Sequence, residues 1–385
     1  MALIDFVDCI DIVGNAVKPF SDTRLYLSTG ALQRQNIDKT AVEEVTFESR
    51  PSRANVNVSA GDIIFAKMKN TVKVLEITEK EKDYIVSTGF FAIRPRNGID
   101  REFVVQYILS DDFNEQKDKY CTGATQKALT NSGLAKIKIP QLDISTQQSI
   151  GKALSLVDIA IQKRKEQISV LDKLCLDTFI EMFGDPISNP KSWDKYTLES
   201  MCEIVTGSTP PRANPNNYGS FIEWIKSDNI NTEDSFLTTA AEYLSEEGAK
   251  RGRVVESGAI LMTCIAGSLS CIGNVAIANR RVSFNQQINA VVPCSDIESY
   301  FLYFMFRLAK SYIQGDVSMS LKGILNKGKL SAMSFIFPPV SIQKEFSKRI
   351  KVIDEQIMLL KRSLSDLVMT RESALQKAFN GELFQ

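Results

Sequence analysis

The side chains best equipped for chemistry in this sequence are amides, hydroxyls and cations on short polar loops between apolar runs. Gly207-Ser208-Thr209-Pro210-Pro211-Arg212, followed by Asn214-Pro215-Asn216-Asn217-Tyr218, is an extended loop rich in donors and acceptors. Cys264-Ile265-Ala266-Gly267-Ser268-Leu269-Ser270 is a second such loop. Phe284-Asn285-Gln286-Gln287-Ile288-Asn289 alternates apolar and amide residues, as a strand with one polar face does. Asn and Gln pair bidentately with adenine, and Arg and Lys with guanine, each pair discriminating by ~1–3 kcal/mol. The candidate nucleic-acid contacts here are Ser208, Thr209, Arg212, Lys226, Ser227, Thr263, Ser268, Asn285 and Gln286. An earlier stretch offers Lys67, Lys69, Lys73, Arg94 and Arg96, and the loop Thr122-Gly123-Ala124-Thr125-Gln126-Lys127 adds Thr122, Thr125, Gln126 and Lys127.

Catalysis has much less to work with. The chain has 385 residues and not one histidine. That removes Ser-His-Asp and Cys-His nucleophile pairs, His-bearing zinc sites and the side chain that titrates nearest neutrality. No phosphate loop is present, because Lys327-Gly328-Lys329-Leu330 lacks both the spacing and the hydroxyl. No Gly-x-Gly-x-x-Gly opens a helix, and Asn214-Pro215-Asn216-Asn217 lacks the second Pro and the aromatic of an amino-methyltransferase tetrapeptide. Asp111-Asp112 ahead of Phe113 reads as a solvated helix or loop start rather than a metal site. Glu223 and Lys226 echo a nuclease acid-lysine pair without the second carboxylate that chemistry needs.

Long amphipathic elements must position these loops. Ile150, Leu154, Val157, Ile161, Ile168, Leu171, Cys175 and Phe179 recur at steps of three, four or seven. Phe346, Ile350, Ile353, Ile357, Leu360, Leu364 and Leu367 do the same, continuing to Leu375 and Phe379. Heptad-like spacing gives each helix a narrow apolar seam suited to one partner helix. Gly184-Asp185-Pro186 stops the first helix and Asn380-Gly381 the second.

The sequence is also an imperfect duplicate of itself. Gln147, Lys152, Val157, Asp158 and Ile161 align with Gln343, Lys348, Ile353, Asp354 and Ile357 at a constant offset of 196. A strand-like run ending in Pro precedes each helix, Ile137-Lys138-Ile139-Pro140 and Phe335-Ile336-Phe337-Pro338. Upstream, Gly61-Asp62-Ile63-Ile64-Phe65-Ala66 parallels Gly258-Ala259-Ile260-Leu261-Met262-Thr263, and Tyr26-Leu27-Ser28 parallels Trp224-Ile225-Lys226. Thr122-Gly123-Ala124 is matched to Gln314-Gly315-Asp316. The expected order is a globular domain over 1–143, a helix over 144–184, a second globular domain over 185–340 and a helix over 341–385. Helices of about 36–40 residues run about 55–60 Å at 1.5 Å per residue. Packed antiparallel about a pseudo-twofold axis, they would form a rod with one head at each end. Each polar residue taken singly is ordinary loop surface; their recurrence at corresponding points of both copies makes them a candidate interface.

Composition bounds the remainder. Lys and Arg total 46 against 46 Asp and Glu, so the net charge is zero, which argues against a non-specific nucleic-acid coat. The seven cysteines are scattered without a Cys-x-x-Cys pair, as reduced and mostly buried thiols of a cytoplasmic protein. No apolar run reaches the ~18 residues that span a bilayer, and Met1-Ala2-Leu3-Ile4-Asp5 carries acid where a signal peptide carries base.

Taken in order, these pieces resemble the DNA-specificity (S) subunits of type I restriction-modification systems. The likeness rests on Gly207-Ser208-Thr209-Pro210 with Trp224-Ile225-Lys226-Ser227, on Gly258-Ala259-Ile260-Leu261 running to Ala276-Ile277-Ala278 and Phe284-Asn285-Gln286, and on the twice-used Pro-ended strand before a long helix. It covers nearly the whole chain, with Tyr26-Leu27-Ser28 and Ser87-Thr88-Gly89 as weaker counterparts in the first copy. The resemblance implies an α+β fold of two target-recognition domains joined by two long helices in an antiparallel coiled coil. It implies double-stranded DNA as ligand, read as a bipartite asymmetric site, and no membrane association. Two modification subunits would supply adenine-N6 methylation from S-adenosylmethionine, and restriction subunits would add ATP- and Mg-dependent translocation and cleavage. No cofactor is expected on this chain. The competing readings are a scaffold whose helices organise partners without reading DNA, and a histidine-free nuclease or transferase.

Overall fold

Residues 2–319 and 322–379 are described by the computed structural model of the chain. The expected helix stop at Asn380-Gly381 lies outside these residues. Two compact units divide the chain: the first holds residues up to 165 together with those from 362 onward, the second residues 166–361. The division falls inside the long helices and not at their ends.

Each unit is built on two four-stranded sheets with one topology. In the first unit, Arg24–Leu27 and Ile85–Ser87 run parallel at the centre of one sheet, flanked by Glu43–Val45 and Ala54–Asn57. The other sheet is antiparallel, in the order Ile10–Val13, Phe90–Pro95, Ile63–Ala66, Val74–Glu76. The second unit repeats both plans. Tyr218–Ile225 and Val282–Phe284 are the parallel pair between Tyr243–Leu244 and Val254–Val255. Cys202–Thr206, Ile288–Pro293, Ile260–Thr263 and Val275–Ile277 form the antiparallel sheet. The registers put Tyr26 opposite Ile85 and Trp224 opposite Ser283, so the expected correspondence of Tyr26 with Trp224 is structural. Gly61 and Gly258 both take positive φ, 88° and 99°, where only glycine turns without strain before the buried strand.

Two sequence correspondences shift in the structure. Gly315 ends the helix Lys310–Gly315, while Gly123 sits in a hairpin loop after Cys121–Thr122. The true counterpart of that first hairpin strand is Ser318–Met319, because it pairs with Gly323–Ile324 as Cys121–Thr122 pairs with Ala128–Leu129. The two prolines are also out of step: Pro140 is the last strand residue, opposite Leu3, whereas Pro338 follows a strand that ends at Ile336.

The long helices run Ile144–Phe183 and Val340–Phe379. Neither contains an internal Pro, and Asp143 caps the first by accepting the Thr146 N–H at 3.0 Å. Gly184, at φ 78°, ends it in the left-handed conformation. The shared glutamines explain part of the repeat. Gln147 donates to the Leu142 carbonyl (2.8 Å) and accepts from the Asp100 N–H (2.9 Å), docking the helix Arg101–Leu109. Gln343 does the same with the Pro338 carbonyl (2.7 Å) and the Glu298 N–H (3.1 Å), docking Ser299–Leu308.

In each unit the halves of the two long helices pack antiparallel. In the first, Ile150 and Leu154 share a core with Leu375 and Phe379, and Phe379 meets Phe103 and Tyr107. In the second, Phe179 and Phe183 pack edge-on against Phe346, with Ile168, Leu171, Ile350, Ile353 and Ile357 around them. Val157, Ile161, Leu364 and Leu367 are half-buried, and no residue of the expected seam is exposed.

Candidate nucleic-acid interface

In the second unit the candidates converge where the parallel strand pair ends. The Ser208 N–H donates to the Phe284 carbonyl (3.0 Å), the Asn285 N–H to the Ile225 carbonyl (3.0 Å), and the Trp224 indole to the Ser208 carbonyl (3.2 Å). Gly207 is required here by contact: a Cβ would stand 2.0 Å from the Asn285 carbonyl oxygen. Thr209 donates to the Gln286 side chain, and Asn285 accepts the Gln287 N–H at 3.0 Å. Arg212 lies over Tyr218 and Trp224, and Lys226 over the same Trp224. The structure thus brings Thr209, Arg212, Lys226 and Gln286 together at this edge, whereas Asn285 is buried behind them and the hydroxyls of Ser208 and Ser227 are buried. Ser268 is exposed on the neighbouring loop, where it caps the turn Leu269–Cys271. Thr263 differs: it is fully buried within its strand.

That neighbouring loop is held from beneath. Lys310 donates to the Ser270 carbonyl (2.7 Å), and Gln314 to the carbonyls of Leu269 (2.8 Å) and Ile272 (2.9 Å). Asn274 donates to Asn231 (2.8 Å). On its flank, Ile265–Ala266 pairs with the hairpin strand Gly323–Ile324.

The first unit builds an equivalent edge from different side chains. Met68 bridges Ala128, and the Lys69 N–H donates to the Lys127 carbonyl (3.0 Å), so the loop 67–73 and the hairpin 121–129 lie side by side. Lys67 donates to the Thr88 carbonyl (3.1 Å) and sits 4.5 Å from the Phe91 ring centroid. Burial lowers its ammonium's pKa. Lys73 donates to the Thr29 carbonyl (2.7 Å). Lys69, Thr122, Thr125, Gln126 and Lys127 are exposed on the same edge. A buried ammonium, Lys117, donates to the Thr71 carbonyl and anchors this loop as Lys310 anchors its counterpart.

Arg94 and Arg96 are not brought to that edge. They sit at the far end of their strand, where Arg94 donates twice to Asp62 (2.8 and 2.6 Å) and Arg96 to Asp11 (2.9 Å) and the Asp8 carbonyl (3.2 Å). Glu223 likewise pairs with Arg280, away from Lys226. Asp111 and Asp112 open the helix Asp111–Tyr120.

Sequence reasoning missed Glu242, whose carboxylate pairs with both Arg212 (2.8 Å) and Lys226. It also missed the loop anchors Lys117, Lys310 and Gln314. Each partner lies 16 to 46 residues away in sequence, so no local pattern marks the pairing. Among the described residues, no group of three or more Cys, Asp or Glu side chains is placed to hold a metal ion, and no helix is long and apolar enough to cross a membrane.

Two copies of one loop-bearing scaffold, each ending in a long helix, are the architecture of a DNA-specificity subunit. The chain belongs to the type I restriction-modification DNA specificity family, whose domain model matches twice, over residues 26–171 and 190–368, and whose members recognise DNA sequence without being enzymes. It is 22% identical over 379 residues to the specificity subunit of the type I restriction enzyme MjaIX of Methanocaldococcus jannaschii, covering 93% of this chain and 83% of that one. It is 20% identical over 438 residues to the HindI specificity subunit of Haemophilus influenzae, with 93% and 94% covered. The crystal structure of the S subunit of a type I restriction-modification system from M. genitalium shares the fold, with a TM-score of 0.62 at 15% identity over 98% of this chain and 96% of that one.

Proposed function

We propose that the chain reads a bipartite, asymmetric site on double-stranded DNA, one unit per half-site, and that the two long helices set the unread spacer. The observation that carries this reading is one topology with two chemistries. Both units hold a loop and a hairpin beside the end of a parallel strand pair. The first carries its exposed candidates Lys69, Gln126 and Lys127 on that loop and hairpin, whereas the second carries Arg212, Lys226 and Gln286 at the strand end, where the first has Ser28 and Ser87-Thr88. Identical scaffolds with different donors are what two unlike half-sites require.

Two modification subunits would dock on the helices and heads. Exposed apolar residues support this: Leu156 and Ile159 in the first unit's part of the first long helix, Val170, Leu174 and Ile180 in the second's. S-adenosylmethionine, ATP and Mg would belong to modification and restriction subunits, and the assembly would act in the cytoplasm. The test is to map methylated adenines in the host genome. The expected motif has two specified parts separated by a fixed run of unspecified positions, and one uninterrupted block would refute the reading.

A further inference from the structure

The second unit's candidate face carries a carboxylate that competes for its own cations. Glu242 is fixed beside Trp224, whose backbone N–H donates to the Glu242 backbone carbonyl at 2.9 Å. One carboxylate oxygen accepts from Arg212 at 2.8 Å and the other from Lys226. Both cations stand over Trp224, 5.3 and 5.2 Å from the ring centroid, and Arg212 also lies 4.7 Å from that of Tyr218. The Lys226 hydrogen bond, with that of Arg212, holds the Glu242 carboxyl below its ordinary pKa, so it stays ionised at neutral pH. A carboxylate and a phosphodiester each offer two charged oxygens on one central atom, and the same forked donors serve both. In the first unit Ser28 stands at the place of Lys226, and the nearby ammonium groups of Lys67 and Lys73 rest on the backbone carbonyls of Thr88 and Thr29.

We infer that Glu242 occupies the place of a DNA phosphate in the free protein, so that a phosphodiester must displace it to engage Arg212 and Lys226. This rests on the proposed DNA reading by the same face. Displacement subtracts from every phosphate contact, whatever the sequence. The cost is common to target and non-target duplexes, so Glu242 lowers affinity for both, and only a duplex that also satisfies the base-reading side chains binds well despite it.

The experiment is fluorescence anisotropy on the full chain. One duplex lacks the site, another carries the site mapped from host methylation, and salt is varied over about 50–200 mM. Glu242→Gln keeps the shape and removes the charge, Glu242→Asp keeps the charge, and thermal melting checks that each variant folds. Two exposed ion pairs of ordinary strength correspond to a change of about three- to tenfold. Glu242→Gln is expected to bind both duplexes tighter by that factor, with Glu242→Asp close to the parent. Arg212→Ala and Lys226→Ala should each weaken both. Unchanged or weaker non-target binding by Glu242→Gln, alongside weakened arginine and lysine variants, makes Glu242 a positioning residue and overturns the inference alone. If Arg212→Ala and Lys226→Ala change neither affinity, this face does not touch DNA, and the inference falls together with the reading beneath it.

Discussion

At the scale of single residues, exposure and pairing sort the candidate contacts. Lys69 and Lys127 are exposed at an edge, whereas Arg94 is committed to the buried Asp62. Lys69→Ala should therefore weaken binding and lower the salt slope by about one unit while leaving one half of the footprint intact. Thr263→Val should leave DNA affinity unchanged, because that side chain is wholly buried; quantitative binding titrations check both. The cysteines supply a separate test. Burial pushes the thiols of Cys175, Cys202 and Cys264 up to about 12, while Cys294 is exposed. Mass-resolved alkylation of the native chain should label Cys294 first and leave those three unlabelled. Much of this sorting was illegible in the sequence. Lys226 and Arg94 look alike as isolated cations, and only the fold sets one over Trp224 and the other against Asp62.

At the scale of elements, the periodic seams and the glycine turns were fully legible, because burial of a helix stripe or strand needs a pattern that local sequence displays. What the pattern hides is how the duplicated positions diverge. Asp158 and Asp354 occupy the same repeat position. Asp158 pairs with the nearly buried Arg371, which also reaches Gln106 at 3.1 Å. Asp354 instead accepts from Ser235 (3.0 Å) and Tyr300 (3.1 Å), and burial raises its pKa. The 196-residue offset places Cys175 at the counterpart of Arg371, so the second copy has no such cation to offer. Arg371→Ala should cost about 3–5 kcal/mol, since it strands a half-buried carboxylate. Arg371→Met with Asp158→Leu should recover only part of that loss, because together they leave the buried Gln106 amide without these two partners; urea denaturation gives both values. The anchors Lys117, Lys310 and Gln314 were equally hidden, because a lysine bonded to a distant carbonyl leaves no spacing to read.

At the scale of the whole molecule, the duplication carries the argument. The absence of histidine first reads as a limit on which enzyme this could be, and for a recognition subunit it is no handicap. If partner subunits supply much of the phosphate contact, zero net charge is no handicap either, and the isolated chain should bind DNA weakly and lose that binding steeply with salt. If the helices set the spacer, removing one heptad from each should shorten the unread gap or abolish assembly, as methylation mapping would register, and an unchanged gap would contradict the ruler. The central claim is two separate readings by one chain, and its most direct test is a hydroxyl-radical footprint of the assembled complex at single-nucleotide resolution. Two protected patches at a fixed separation are expected, with Lys226→Ala thinning only one of them; a single continuous patch, or equal loss from both, would contradict the account.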